Sequence, residues 1–146
     1  MSVAIMTNVV VSAWSVSKNV WRLEQRVEAH NLISSSGLEF CRDFFSGSRT
    51  RPNYIAIGSG TTSAMLTDTE LETETFRKLI SRRFPETARV TFQMLLDQSE
   101  ANSTTIAEIG LFADSTLLAR ALISPAIAKT AAIFATISHE WTFANG

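Results

Sequence analysis

The sequence predicts a mainly β protein, an antiparallel β-sandwich with one α-helix and an N-terminal β-hairpin. Apolar and polar residues alternate with period two in several runs, as in Val90, Phe92 and Met94 against Arg89, Thr91 and Gln93. These runs are short, fairly evenly spaced and separated by turn-forming residues, the pattern of a sandwich or barrel. The connections are also shorter than the dozen or more residues a parallel crossover needs, which removes most α/β enzyme architectures.

The elements follow in order. Val9, Val11 and Ala13 alternate with Val10, Ser12 and Trp14, and Trp21, Leu23, Gln25, Val27 and Ala29 alternate with Arg22, Glu24, Arg26 and Glu28. With Ser15 to Asn19 as the turn, residues 8–30 read as a hairpin. Next, Ser34 to Ser36 offer a cap for a helix over 35–46, with Leu38, Cys41, Phe44 and Phe45 at three- and four-residue spacing and Gly47 as the stop. That stripe is expected to pack on a sheet as ordinary core. Beyond Pro52 the strands are YIAIG, FRKLISRRF, TARVTFQMLL, TTIAEIGLFA, LLARALI and AAIFATISHEWTF. The breaks fall at a polar loop in which Thr67 or Asp68 caps a helical turn, at Pro85 and Glu86, and at residues 97–103, 114–116 and 124–130. The domain reading is an assembly arm over residues 1–30 and a sandwich with one helix over 31–146.

A chain of 146 residues fits one sandwich, and a hydrophobic share of 45% supplies a core and excludes wholesale disorder. A net charge of -1 provides no field that would draw the chain onto nucleic acid or anionic lipid. The basic residues Arg77, Lys78, Arg82 and Arg83, with Arg49 and Arg51, read as solvated faces. The N-terminal segment has neither the basic leader nor the apolar run of a signal peptide, so export by that route is not expected. The single cysteine, Cys41, has no internal disulfide partner, which suits assembly in a reducing cytoplasm, and it reads as a small core residue.

No constellation for chemistry emerges. The two histidines differ in setting: His139 lies in phase with Ile137 and Trp141 as a core or rim residue, and His30 stands at a strand-to-helix junction. One Cys and two distant His do not fill a zinc site, so no metal and no cofactor are expected. The acids Glu70, Glu72, Glu74, Glu100 and Glu108 fit exposed faces as well as they fit a catalytic pair. The glycine-rich GSGTT after Ile57 lacks the lysine of a phosphate loop and reads as a tight turn.

Two stretches carry a resemblance. Residues 53–82, NYIAIGSGTTSAMLTDTELETETFRKLISR, and residues 106–143, with AEIGLF, LLAR and a closing EWTF, resemble the tail-fibre, tail-collar and baseplate-associated proteins of tailed phages. The helical HNLISSSGLEFCRDFFSG is similar to the helix preceding these motifs, so the likeness covers about residues 30–143. It falls on Tyr54, Ile57, Gly58, Gly60 and Thr61, then Asp68, Leu71, Glu74 and Arg77. In the later part it falls on Glu108, Gly110, Leu111, Phe112, Leu118, Ala119 and Arg120, and on Ile127, Lys129, Trp141 and Phe143. These positions are structural in that family. The resemblance implies a non-enzymatic virion subunit, in the tail more than the head, assembled in the host cytoplasm. Its partners would be itself, as a trimer or ring, and other virion proteins, with no nucleic acid and no membrane. Larger fibre proteins continue into a shaft or tip, whereas this chain stops three residues after Phe143, which favours a connector, baseplate component or short appendage. A capsid decoration or head-fibre protein and a carbohydrate-binding module are the alternatives.

The hairpin has no counterpart in that likeness. Its apolar residues Val9, Val11, Trp14 and Trp21 are the candidate interface, reaching a neighbouring subunit by strand addition or aromatic packing. The competing expectation is that the hairpin completes the chain's own sheet.

Overall fold

The computed structural model describes residues 3–145, so the domain limits read at residues 1 and 146 lie outside it. The described elements are β1 (Val3–Ser17), β2 (Val20–His30), β3 (Leu32–Ile33), α1 (Ser35–Phe45), β4 (Tyr54–Gly58) and β5 (Glu74–Leu79). The rest are β6 (Arg82–Pro85), β7 (Arg89–Leu96), β8 (Thr104–Ala113), β9 (Thr116–Lys129) and β10 (Ile133–Asn145). They form two antiparallel five-stranded sheets, β2-β1-β10-β7-β6 and β3-β9-β8-β4-β5, packed as a sandwich. The mainly β class and the single helix are as the alternation predicts.

The hairpin is part of this body. Lys18 and Asn19, both at positive φ, make the two-residue turn whose twist suits a hairpin, so the strands run on through Ser15 and Ser17. β1 lies between β2 and β10, in register with β10 from Val3 and Asn145 to Ser15 and Ile133. The separate arm over residues 1–30 is therefore corrected: the hairpin completes the chain's own sheet. Period-two alternation is the same for a strand that docks elsewhere and one that docks at home, so the pattern alone does not separate them.

Three further boundaries shift. FRKLISRRF is two strands, because the chain leaves one sheet and enters the other between Leu79 and Arg82. Ile80 is buried at the corner, and the backbone N–H groups of Ile80 and Ser81 donate to Asn53 and Gln93. β9 does not stop at residue 123 but continues across Pro125 to Lys129, with a register shift opposite Ile106 and Glu108. Residues 65–68 form a turn without a helix, in which Asp68 Oδ2 accepts from the Met65 N–H at 2.9 Å.

The helix occupies its expected place with Ser34 as N-cap, the side chain accepting from Gly37 N at 3.1 Å. Its inward face is different. Gly37 and Phe40 are buried, while Leu38, Phe44 and Phe45 are exposed and Cys41 is half-buried. The reason is close approach: a Cβ at Gly37 would lie 2.1 Å from the Leu118 carbonyl oxygen, so the helix presses its glycine against β9. The large apolar members of the stripe are turned outward as a result.

The main core joins both sheets through Val9, Val11, Met94, Ile109, Leu111 and Ile137, all fully buried. A smaller cluster of Ala56, Leu71, Phe112 and Leu117 lies apart from it. Leu71 in that cluster belongs to the loop over residues 59–73, which explains why β8 is buried from Ile106 to Ala113 without the usual alternation. Deleting residues 2–28 would remove β1 and most of β2, uncovering one edge of β10 together with the core on its inner side. The expected product is insoluble or lacks a β-type circular dichroism spectrum; a soluble, cooperatively melting deletion would contradict this placement.

Candidate functional site

The most concentrated polar chemistry in the molecule is built on β8 and β9. Glu108 and Arg120 lie on these adjacent strands and are buried, at 0% and 3% exposure, where sequence reasoning expects an exposed acid. Arg120 Nε donates to Glu108 Oε2 at 2.8 Å. The same carboxylate accepts the backbone N–H of Glu72 at 3.0 Å on Oε2, and those of Gly60 at 3.1 Å and Thr73 at 2.7 Å on Oε1. Gly60 allows that approach, since a Cβ there would stand 2.5 Å from Glu108 Oε1. The expected tight turn at GSGTT is corrected: these residues leave β4 with only a bend at Thr62, the Ser59 N–H donating to the Thr73 carbonyl at 3.0 Å, and are shaped around a buried carboxylate.

Arg120 is surrounded by acids. Its Nη1 lies 3.2 Å from Asp68 Oδ2 and its Nη2 3.6 Å from Glu72 Oε2. Glu72 in turn accepts from the Thr62 N–H at 2.8 Å and the Thr62 hydroxyl at 2.9 Å. The Thr62 backbone N–H and then its hydroxyl hold the Glu72 carboxyl below its ordinary range. Apart from the Glu108–Arg120 pair itself, every one of these bonds ends on residues 60–73, so the arrangement fastens a loop to the outer face of a sheet. At the margin Arg77 pairs with Glu74 at 2.8 Å, as read from the sequence, and its guanidinium lies 3.8 Å from the Phe112 ring centre, closing the small cluster.

This centre has a faint signature that spacing rules miss. Glu108 and Arg120 are single charges inside otherwise apolar runs, IAEIGLFA and LLARALI, on strands joined by the short turn at Asp114. Charges in neighbouring buried strands have to meet each other or remain unpaired.

Two more polar groups are enclosed. His139 on β10 is fully buried between Val9 and Phe92 of the flanking strands, the core position expected, with its Nδ1 3.0 Å from Asn31 Nδ2. With that amide donating, the ring is neutral and Nε2 carries the proton, and burial lowers the imidazole to about 3. Lys129 is also fully buried, donating to Asn102 Oδ1 at 2.9 Å and the Thr130 carbonyl at 3.0 Å. Burial lowers its pKa, and Asp97 and Glu100 oppose that shift. His30 is exposed at the end of β2, the strand-to-helix junction read from the sequence. Among the described residues no three His, Cys, Asp or Glu side chains converge as a metal site.

The candidate interface residues divide. Val9 and Val11 are fully buried in the chain's own core, which corrects their assignment to a docking surface. Trp14 is partly buried, and Trp21 remains 55% exposed with its ring 4.8 Å from Phe134. These two tryptophans line a shallow groove of about 420 Å³ with Gln93, Leu95, Phe134 and Thr136. A second groove of about 340 Å³, bounded by apolar surface, opens beside α1, and Cys41 in its wall has a thiol pushed up by burial. No family model, no curated protein and no solved structure matches this chain.

Glu108→Gln leaves Arg120 enclosed without its closest anion, a change that costs about 3–5 kcal/mol when a buried pair is broken and lowers the melting temperature by roughly 10 °C. A melting temperature within about 2 °C of the parent would show that the pair is not buried as described. A second expectation concerns acid. Because folding depresses His139 from 6.5 to about 3, its contribution is fully present above pH 6.5. It falls by up to ~1.4 kcal/mol per pH unit as the pH drops from there towards 3, since the unfolded chain binds the proton first. Urea titrations between pH 7 and 4 should give a flatter profile for His139→Gln than for the parent, and parallel profiles would refute the assignment.

Proposed function

We propose that the chain is a virion structural protein of a tailed bacteriophage, a small tail or baseplate and fibre-connector subunit acting by oligomeric assembly and without catalysis. The observation that carries this reading is the placement of its large apolar side chains. Val20, Trp21, Leu23 and Leu95 are exposed on the hairpin and on β7 of the same sheet, and Leu38, Phe44 and Phe45 are exposed on α1. Clusters of this kind on a soluble surface are usually covered by a partner.

The buried charges support the same reading. Glu108, Arg120 and Lys129 are committed to fastening loops and strand ends, and His139 is enclosed without a nucleophile beside it. The motif likeness over about residues 30–143 supplies the phage context, and the sandwich gives flat faces suited to docking between subunits.

Size-exclusion chromatography with light scattering should give a mass above that of the 16.1 kDa monomer, and a labelled antibody should decorate tails in electron micrographs of purified particles. Decoration of capsid lattice points would favour the decoration-protein alternative. Loss of glycan binding on Trp21→Ala would favour the carbohydrate-binding alternative, because Trp21 is the exposed ring of its groove.

A further inference from the structure

The groove beside α1 is the part of the surface that most resembles an unfinished core. Phe40, Phe44 and Phe45 of the helix face Val90, Phe92 and Phe143 of the opposite sheet across it, and Pro52 closes one side. Its surface is apolar, yet two cations, Arg51 and Arg83, belong to its lining. Neither has a carboxylate partner among the described residues. Arg83 Nη2 donates to the Pro52 carbonyl at 2.9 Å and its Nε has no partner. Burial and then the neighbouring Arg51 charge both lower the Arg83 pKa, the sign expected of a guanidinium without a counter-ion. The complement of such a groove is an apolar side chain followed closely by an acid.

One exposed segment of this same chain has that composition. Met65 and Leu66 project from the loop at 58% and 53% exposure, and the exposed Glu70 follows them without an ion-pair partner among the described residues. The loop is held rigidly, by Asp68 to Arg120 and by the Glu108 carboxylate behind it. Its position relative to the groove also matters. The Leu66 carbonyl accepts from the Ser35 N–H at 2.8 Å, so the segment sits at the first residue of α1, whereas the groove is lined by the second half of that helix, Phe40 to Phe45. An 11-residue helix is about 16 Å long. Projection and groove therefore lie at opposite ends of one rigid element and do not meet within a single chain.

We propose that this groove receives residues 65–70 of a second copy of the chain, Met65 and Leu66 entering among Phe44, Phe45 and Phe143 while Glu70 reaches Arg51 and Arg83. Because the two surfaces differ, each subunit offers one of each, and the contact is heterologous. Repetition of a heterologous contact closes into a ring when the rotation permits and otherwise extends as a filament. The inference rests on the self-assembly reading above and names the surfaces that carry it.

Two single substitutions on exposed side chains test it. Leu66→Asp spoils the projection and Phe45→Asp spoils the groove, and circular dichroism melting checks that both still fold. By light scattering the parent is expected above monomer mass, and each variant alone is expected as a monomer. An equimolar mixture should regain a two-chain species and nothing larger, because only one intact projection and one intact groove can then mate. A cysteine pair gives a readout independent of those substitutions: Met65→Cys, oxidised, should yield a reducible ladder with native Cys41 that disappears on Cys41→Ser. A parent that assembles while both variants assemble equally, or a mixture that stays monomeric, overturns the contact and leaves self-assembly standing. A parent that is monomeric at every concentration overturns both.

Discussion

The outer face of one sheet is organised by the contact between Glu108 and Arg120. Two unlike charges on adjacent strands are enclosed together, and the carboxylate is filled by the guanidinium and three backbone N–H groups. Removing both charges from water costs several kcal/mol per ion, so the pair is a weak source of net stability. What it provides is position. A loop of this length whose buried apolar anchor is Leu71 would otherwise move freely over the surface. With its amides committed to one carboxylate, it has a single arrangement, and the small cluster of Ala56, Phe112 and Leu117 is closed beneath it.

The sandwich interior uses a different solution for each polar group. His139 is enclosed as a neutral ring because no anion accompanies it. Lys129 stays beside Asn102 and the Thr130 carbonyl at the end of β9, where Asp97 and Glu100 are near enough to favour its charge. Each group is matched to a partner that also fixes a chain segment: Asn31 at the exit of β2, and residues 102 and 130 at two loops. Buried polarity here specifies how connections lie against the sheets and leaves the faces between them apolar.

Much of this architecture is legible in the residues. Alternation locates β7 and β10, and Ser34 announces the helix. The helix face is not legible, because the stripe at Leu38, Cys41, Phe44 and Phe45 satisfies helical spacing while the burying contact is made by Gly37, which has no side chain to register in such a pattern. The strand break near Ile80 is hidden because a residue that changes sheets remains buried and keeps the apolar rhythm intact. Val9 and Val11 suffer the same ambiguity: a period of two says that one face is buried and not against what. The Glu108 centre is missed for another reason. Each charge looks ordinary alone, and only the register of β8 against β9, set by the turn at Asp114, brings them together.

The rigidity of that centre bears on the proposed contact between copies of the chain. Association opposes itself by the entropy of ordering whatever inserts, and each immobilised flexible side chain or loop residue subtracts from the contact. Met65 and Leu66 are exposed, yet the turn that carries them is already ordered by Asp68, whose Oδ2 accepts from the Met65 N–H and also meets Arg120 Nη1. The ordering cost is met when the monomer folds, so two modest apolar side chains can contribute to docking most of what their burial is worth. In the proposed contact, the buried ion pair, of little value to the isolated fold, would have its effect at a surface it never touches.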